Sequence, residues 1–354
     1  MSIFAEIYNL PSTALWVLSS LFRPFCVVSL ILVVSNPTAA LRKFELFVTT
    51  FQYLLFCKDK KWKTPEDPAP YFEKVTSNKI EQKTILFVRH GESTWNDTFN
   101  KGDRSTAAFV LNFVPNLLKA IAYELYFWIA GQADESWFYD APLSDKGLNQ
   151  AKGVRGYLQS KAEFLPPKEA KYHALLWKDS QLVSSNLRRA ISTMMVGFQD
   201  RLKSSDEKDT VLILPALQEI SFNPDALSIT PAKGKVTPAW TDPLALRKLY
   251  SKVDTTMHTG NKAVTSNGLL RLEEFSKICF EDISKDTIVA AGHSLWFRSF
   301  FRTYLPHSLE HISKKKKLVN GGIVGFTFQR TKTEKGEWKY LVEAKSIEVL
   351  HGGF

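Results

Sequence analysis

Cysteine is scarce in this chain: three in 354 residues, Cys26, Cys57 and Cys279, with no pair at a metal-binding or redox spacing. That argues against a disulfide framework and places the bulk of the chain in a reducing compartment. Zinc-finger spacing is missing, and no basic ladder alternates with aromatics, so nucleic acid is not an expected partner. Internal repeats and low-complexity tracts are absent too. With 44% hydrophobic and 23% charged residues, the composition is that of a globular protein and excludes wholesale disorder.

The formal net charge of +10 suits anionic partners, either phosphorylated substrates or an acidic membrane surface. The aromatic fraction is 13%, with 25 Phe, and much of it falls in apolar stretches. Residues 10–34 are almost entirely apolar or small, interrupted by Arg23-Pro24. A bilayer span needs about 20 such residues, so the length suffices, although an Arg-Pro pair kinks a helix and is costly in hydrocarbon. A second apolar stretch, 44–57, contains Glu45 and is followed by Lys58, Lys60, Lys61 and Lys63. Basic residues collect on the cytoplasmic side of spans. Residues 1–63 are therefore expected to be membrane-associated, with the remainder of the chain cytosolic. Three prolines within 64–70 open a linker that runs to residue 83.

Beyond it the pattern alternates. Short β-rich apolar runs occur at 84–88, 181–184, 211–214 and 287–291, and helical patterns occupy 146–161, 187–198 and 268–283. This predicts a three-layer α/β/α sandwich with a mainly parallel sheet over 84–354, joined to the hydrophobic N-terminal helical segment. In such sheets chemistry gathers at the carboxyl ends of the strands.

Those ends carry polar strings. Arg89-His90-Gly91-Glu92-Ser93-Thr94-Trp95-Asn96 follows the first strand; a glycine there lets the backbone turn sharply beside an exposed imidazole, and Arg offers a planar fork of donors to phosphate. Asp140-Ala141-Pro142-Leu143-Ser144 runs into a helix for which Ser144 or Asp145 is the expected cap. Ser184 to Ala190 includes Arg188 and Arg189 at a helix start, where free N–H groups and the helix dipole favour anions. Leu217-Gln218-Glu219 and Gly292-His293-Ser294 follow the last two strands. Each string by itself is an ordinary turn or surface pair. Together they put Arg-His, Arg, Glu and His at four strand ends.

These strings, in this order, resemble the histidine phosphatase superfamily, in the branch of cofactor-dependent phosphoglycerate mutases and their phosphatase relatives. The resemblance runs from about Thr84 to Phe328. It implies that His90 is the nucleophile that becomes phosphohistidine, that Arg89, Arg189 and His293 hold the phosphoryl oxygens with Asn96 as a further contact, and that Glu219 is the proton donor, with Glu92 its competitor. The implied catalytic set is His90, Glu219, Arg89, Arg189 and His293, the implied substrate a phosphate monoester. Phosphoryl transfer needs an in-line nucleophile and positive charge around the equatorial oxygens, which Arg and His can supply without a metal or other cofactor.

Two departures stand out. Residues 97–139 form an insertion whose middle, 107–129, is strongly apolar; a helical hairpin or one long helix is expected, packed on the domain, or serving as a lid or membrane-facing patch that would favour a lipid or other hydrophobic phosphate. After Glu219 comes Ile220-Ser221-Phe222-Asn223-Pro224, unlike the basic stretch with which mutases grip a carboxylate, so hydrolysis is preferred. The alternatives are a mutase, a membrane-anchored protein phosphatase and a non-catalytic phosphate-binding scaffold. The four lysines ending at Lys317 read as a solvated run.

Overall fold

The computed structural model describes residues 33–76, 79–160, 162–204 and 209–354. The expected apolar stretch 10–34, but for its last two residues, and Cys26 lie outside the described residues. Strand β1 (Glu81–Arg89) is the spine of the sheet. Ile85, Leu86, Phe87 and Val88 are all fully buried, because both faces of the strand are covered. Leu86 and Val88 enter one hydrophobic core and Ile85 and Phe87 the other, the period of two that a strand imposes.

On one side β1 pairs in parallel with β5 (Thr287–Gly292). Beyond β5 come β2 (Gln181–Ser184), β3 (Val211–Ile213) and the short β4 (Val253–Asp254), each parallel to its neighbour. On the other side β1 pairs antiparallel with β6 (Ile323–Lys332), whose outer edge takes β7 (Trp338–Val342) and β8 (Glu348–His351). The four strands anticipated from apolar runs are thus the parallel heart of an eight-stranded sheet. On the antiparallel flank β7 and β8 are half-exposed and mix polar with apolar residues, which hides them, whereas β6 is mostly buried and its apolar start went unread.

Helix α1 (Pro37–Phe56) precedes an arm that leads to α2 (Ala69–Glu73). After β1 come α3 (Thr94–Phe99) and the inserted α4 (Thr106–Ile129), a single long helix despite Pro115. Helices α5 (Asp145–Gln159), α6 (Pro167–Trp177), α7 (Arg188–Gly197) and α8 (Gln199–Ser204) lie over one face of the sheet. Helices α9 (Gly268–Glu281) and α10 (Ser294–Tyr304) cover the other, and a turn of helix, α11 (Ile312–Lys315), follows. Under α9 and α10 the Phe87 ring stacks on Phe297 at 4.2 Å and meets Phe275, Trp296, Phe300, Phe301 and Phe326. Much of the aromatic content therefore fills this core, rather than only the apolar stretches.

Helices α1 and α4 differ from the rest. Leu41, Phe44, Phe47, Phe51 and Leu55 on α1 are exposed, as are Leu111, Leu118, Ile121, Leu125 and Ile129 on α4. In both, spacings of three, four or seven residues put these exposed apolar groups along one helix face. Lys43 joins the helices through Glu124 at 2.8 Å, and Arg42 reaches Asp134 at 2.7 Å. Leu46 and Phe47 face Ile121, Leu125 and Trp128 across a groove of about 390 Å³. The opposite side of α4 is anchored, with Phe127 and Tyr123 packed on Trp137 and Trp240. By length and composition α4 could cross a membrane, and of the described helices it alone meets that measure.

Candidate active site

Strand register assembles the site. Arg89 pairs with Gly292 across β1 and β5, and the His90 amide donates to the Gly292 carbonyl at 3.1 Å, so the next residues, His90 and His293, emerge side by side. Their ring centroids are 4.9 Å apart. The Ser185 amide donates to Ala291 at 2.9 Å, which continues β2 alongside β5 and sets the Ser185 hydroxyl 2.8 Å from His293 Nε2. Four residues later in sequence, Arg189 stands in the first turn of α7, buried, with its Nε 3.3 Å from His90 Nε2.

The loop after β1 is clamped by the string 140–151. Ser93 forms a bridge with Leu143, Thr94 N–H donates to Pro142, and Ser144 N–H donates to Glu92. Gly91 and Gly147 touch backbone to backbone: a Cβ on Gly91 would lie 2.3 Å from Gly147 O, and one on Gly147 would lie 1.9 Å from Glu92 O. Both glycines are thus required by close approach rather than by torsion. Ser144 caps α5 through the Gly147 amide. Asp140 is held at φ 46°, a strained setting for a non-glycine residue, because its carboxylate accepts from the amides of Arg188 and Ile229, each at 2.9 Å. Burial pushes the Asp140 carboxyl up, while the neighbouring Arg188 works the other way.

His90 Nδ1 lies 2.5 Å from the carbonyl of its neighbour Gly91. A carbonyl only accepts, so the proton sits on Nδ1 and Nε2 presents its lone pair toward Arg189. Burial, with the Arg189 and Arg89 charges, pushes the imidazole well below its ordinary range, so it is neutral at neutral pH. His293 is pushed down in the same way, by burial first and then by Arg189. Arg89 is driven by burial down to about 10, opposed by Glu219, and keeps its charge. Two buried side-chain nitrogens here, Arg89 Nε and His293 Nδ1, have no hydrogen-bond partner among the described residues. Unsatisfied buried polar atoms are costly, and a phosphoryl group placed at His90 would offer them acceptors.

Glu219 follows β3 after one turn of 3-10 helix. Its Oε1 accepts from the amides of Ile220 at 2.9 Å and Trp296 at 3.0 Å, and Oε2 from Leu295 at 3.4 Å, so the start of α10 fixes the carboxylate. The Glu219 loop is tied from below by Lys262, whose Nζ donates to the Glu219 carbonyl at 2.7 Å and to that of Ser221. Lys262 pairs with Asp59 at 2.7 Å, and Asp59 also pairs with Arg271 at 2.7 Å and accepts from the Ser221 amide at 2.8 Å. All three charged side chains are buried. Asp59 belongs to the arm after α1, so that arm reaches into the support of the Glu219 loop.

The structure gathers His90, Arg189 and His293 and sets Glu219 within electrostatic reach of Arg89. Asn96 Oδ1 accepts from Asn100 Nδ2 at 2.6 Å. Glu92 is engaged elsewhere, receiving the Ser144 hydroxyl at 3.2 Å with Lys146 at 3.8 Å. Arg188 is no solvated partner of Arg189: it is buried, with Nε on the Asp140 carbonyl at 3.0 Å and an ion pair to Glu135 of the insertion. In the lysine run, Lys314 donates to the carbonyls of Pro306, His307 and Leu309, while Lys317 lies near enough to Arg89 and Glu219 to feel both charges. Asp225, which sequence reasoning passed over, receives Arg189 on its carbonyl and lies 3.5 Å from it through Oδ2. Its place a few residues past Glu219 was the available signal.

No protein-family model matches the chain, and no curated protein does. Among solved structures, the chain is similar to a putative alpha-ribazole-5'-P phosphatase from Escherichia coli, at 12% identity and a TM-score of 0.35, covering 77% of this chain and 98% of that one. It is also similar to a phosphoglycerate mutase from Bacillus anthracis, at 16% identity and 0.35, covering 76% and 94%. A mycobacterial glucosyl-3-phosphoglycerate phosphatase follows at 14% identity and 0.33, covering 73% and 98%.

Proposed function

We propose that this protein is a phosphomonoesterase that works through a phosphohistidine on His90. The observation that carries the reading is a neutral imidazole, its Nδ1 fixed by Gly91 O, with Nε2 facing Arg189 at 3.3 Å. Nε2 attacks phosphorus in line while the bond to the ester oxygen breaks. Arg89, Arg189 and His293 gather the equatorial oxygens, where charge accumulates. Glu219 gives its proton to the departing oxygen, which leaves as an alcohol. Water then attacks the phosphohistidine, Glu219 takes the water's proton, and inorganic phosphate and free His90 are regenerated.

The chain also associates with membranes in this reading. Support comes from the exposed apolar faces of α1 and α4, joined across one groove, and from the lysines that follow α1. A phosphate ester presented at a lipid surface is then within reach of the pocket, since α4 packs through Phe113 on Phe99 of α3, the helix that follows the His90 loop. Hydrolysis is preferred to mutase chemistry because Ile220 to Pro224 supplies no basic side chain beside Glu219.

The test is turnover of 4-nitrophenyl phosphate by the full chain with and without a chelator. Chelator-resistant hydrolysis that falls on the order of 10⁴-fold or more in His90→Ala is expected. Binding of phosphate without turnover would instead favour a scaffold.

A further inference from the structure

A cavity of about 310 Å³ opens beside the backbone that holds Glu219. Lys60 and Trp62 of the arm, Ile220, and Leu295, Arg298 and Arg302 of α10 line it. Three observations connect it to the chemistry. Its wall is the backbone that fixes the catalytic carboxylate, since Ile220 and Leu295 are two of the three amide donors to Glu219. In an in-line transfer from ester to His90 the leaving group lies against its proton donor, and the two regions adjoin there: Lys317 feels Arg89 and Glu219 of the pocket as well as Arg298 and Lys60 of the cavity. Finally, the cations are unpaired. Among the described residues no carboxylate lies within ion-pair distance of Lys60, Arg298, Arg302 or Lys317. Lys60 lies over the Phe222 ring at 4.7 Å, and Arg302 donates its Nε to the Lys314 carbonyl at 2.6 Å, leaving its remaining donors free for a ligand. The charges sense one another: Arg298 is lowered by burial and by Arg302, and Lys317 by burial and by Arg89, with Arg298 and Lys60 adding to the fall, while Glu219 opposes it in both. Glu219, already held by three amides, is a single charge against four cations, so the cluster stays repulsive until a further anion arrives.

We propose that this cavity is a second anion subsite, in which Lys60, Arg298 and Arg302 hold a further phosphate or carboxylate of the substrate while its scissile phosphate sits at His90. The proposal rests on the phosphatase reading and narrows it to substrates with two anionic groups. Part of the subsite comes from the arm before β1, so this specificity depends on the N-terminal region that also carries the apolar helix α1.

The experiment compares alkane-α,ω-diyl bisphosphates of two to six carbons with the alkyl monophosphates of the same length, using the full chain. At the best chain length, kcat/KM for the bisphosphate is expected to exceed the monophosphate by ten-fold or more, beyond the two-fold that its two equivalent ends supply. In the Lys60→Gln/Arg298→Gln double variant that ratio falls toward two. A parallel arm presents a hexadecyl-tailed bisphosphate in phosphatidylcholine vesicles. Preference for the free compounds assigns a soluble substrate, and preference confined to vesicles assigns a lipid headgroup. A wild-type ratio of two or less in both arms, with both esters hydrolysed, overturns the subsite and leaves the phosphatase intact. If neither ester is hydrolysed, the phosphatase reading falls, and calorimetric titration with the same pairs decides the subsite: ten-fold tighter binding of the bisphosphate, lost in the double variant, supports it, and equal binding overturns it.

Discussion

The pocket around His90 and the paired helices α1 and α4 handle exposure in opposite ways. In the pocket, charged and polar side chains are buried and almost every one has a named partner: Arg188 with Glu135 and Asp140, Arg189 with Asp225, Lys262 and Arg271 with Asp59. On the helices, large apolar side chains from Leu41 to Ile129 face outward, and no described residue covers them. A buried charge is tolerated only when its counterpart is fixed beside it, whereas an exposed apolar group costs the fold little and becomes available to a surface. Changes in the first region should therefore be expensive, and changes in the second nearly free for stability.

The largest effect is expected at Asp59. Asp59→Ala leaves Lys262 and Arg271 buried without their counterion and should cost about 3–5 kcal/mol, read by urea unfolding. In the milder Asp59→Asn, loosened support of the Glu219 loop should lower kcat/KM for alkyl phosphates more than for 4-nitrophenyl phosphate, whose leaving group needs no proton. An equal loss for both would reduce Asp59 to a purely structural residue.

Arg189→Lys comes next. A lysine cannot hold both Asp225 and a phosphoryl oxygen with a planar fork, so kcat/KM should fall on the order of 10²-fold with the fold retained. A smaller effect follows from the buried imidazoles. Both His90 and His293 are pushed below the ordinary value of 6.5, so the folded state binds fewer protons than the unfolded one. Stability is then complete above about pH 6.5 and is lost as the pH falls below it. His293→Gln should flatten that acid slope by up to about 1.4 kcal/mol per pH unit in unfolding measured between pH 6.5 and 5.

The smallest effect on stability is expected on α4. Replacing Leu111, Leu118, Ile121 and Ile129 with Ser should shift unfolding by less than about 0.5 kcal/mol each, as exposed positions do. The same protein should partition less into lipid vesicles. A severe loss of stability would mean that these side chains are covered after all, and the contrast between the two regions would dissolve.

The same contrast explains what could be read from the sequence. Strand β1 was legible because four consecutive buried apolar residues are a local signal, and the His90 loop because Arg, His and Gly are adjacent in the chain. The role of 140–151 was not, for Gly147 matters only through Gly91, more than fifty residues earlier. Asp59 and Lys262 are 203 residues apart, and neither has a neighbour in sequence that announces a buried pair. On α4, apolar spacing gave a helix but could not tell that Phe127 is buried on Trp240 while Leu118 is exposed. Asn96 and Glu92 sit close to His90 in the chain, and nothing in the sequence announces that they bond to Asn100 and Ser144.

The account turns on His90 Nε2 as the atom that receives phosphorus. Rapid acid-free quenching of the full chain with a ³²P-labelled phosphate ester, followed by peptide mapping, tests it directly. Label that is stable to base, labile to acid and confined to the peptide containing His90 is the expected result. Turnover with no protein-bound label, or label on another residue that survives in His90→Ala, would contradict it.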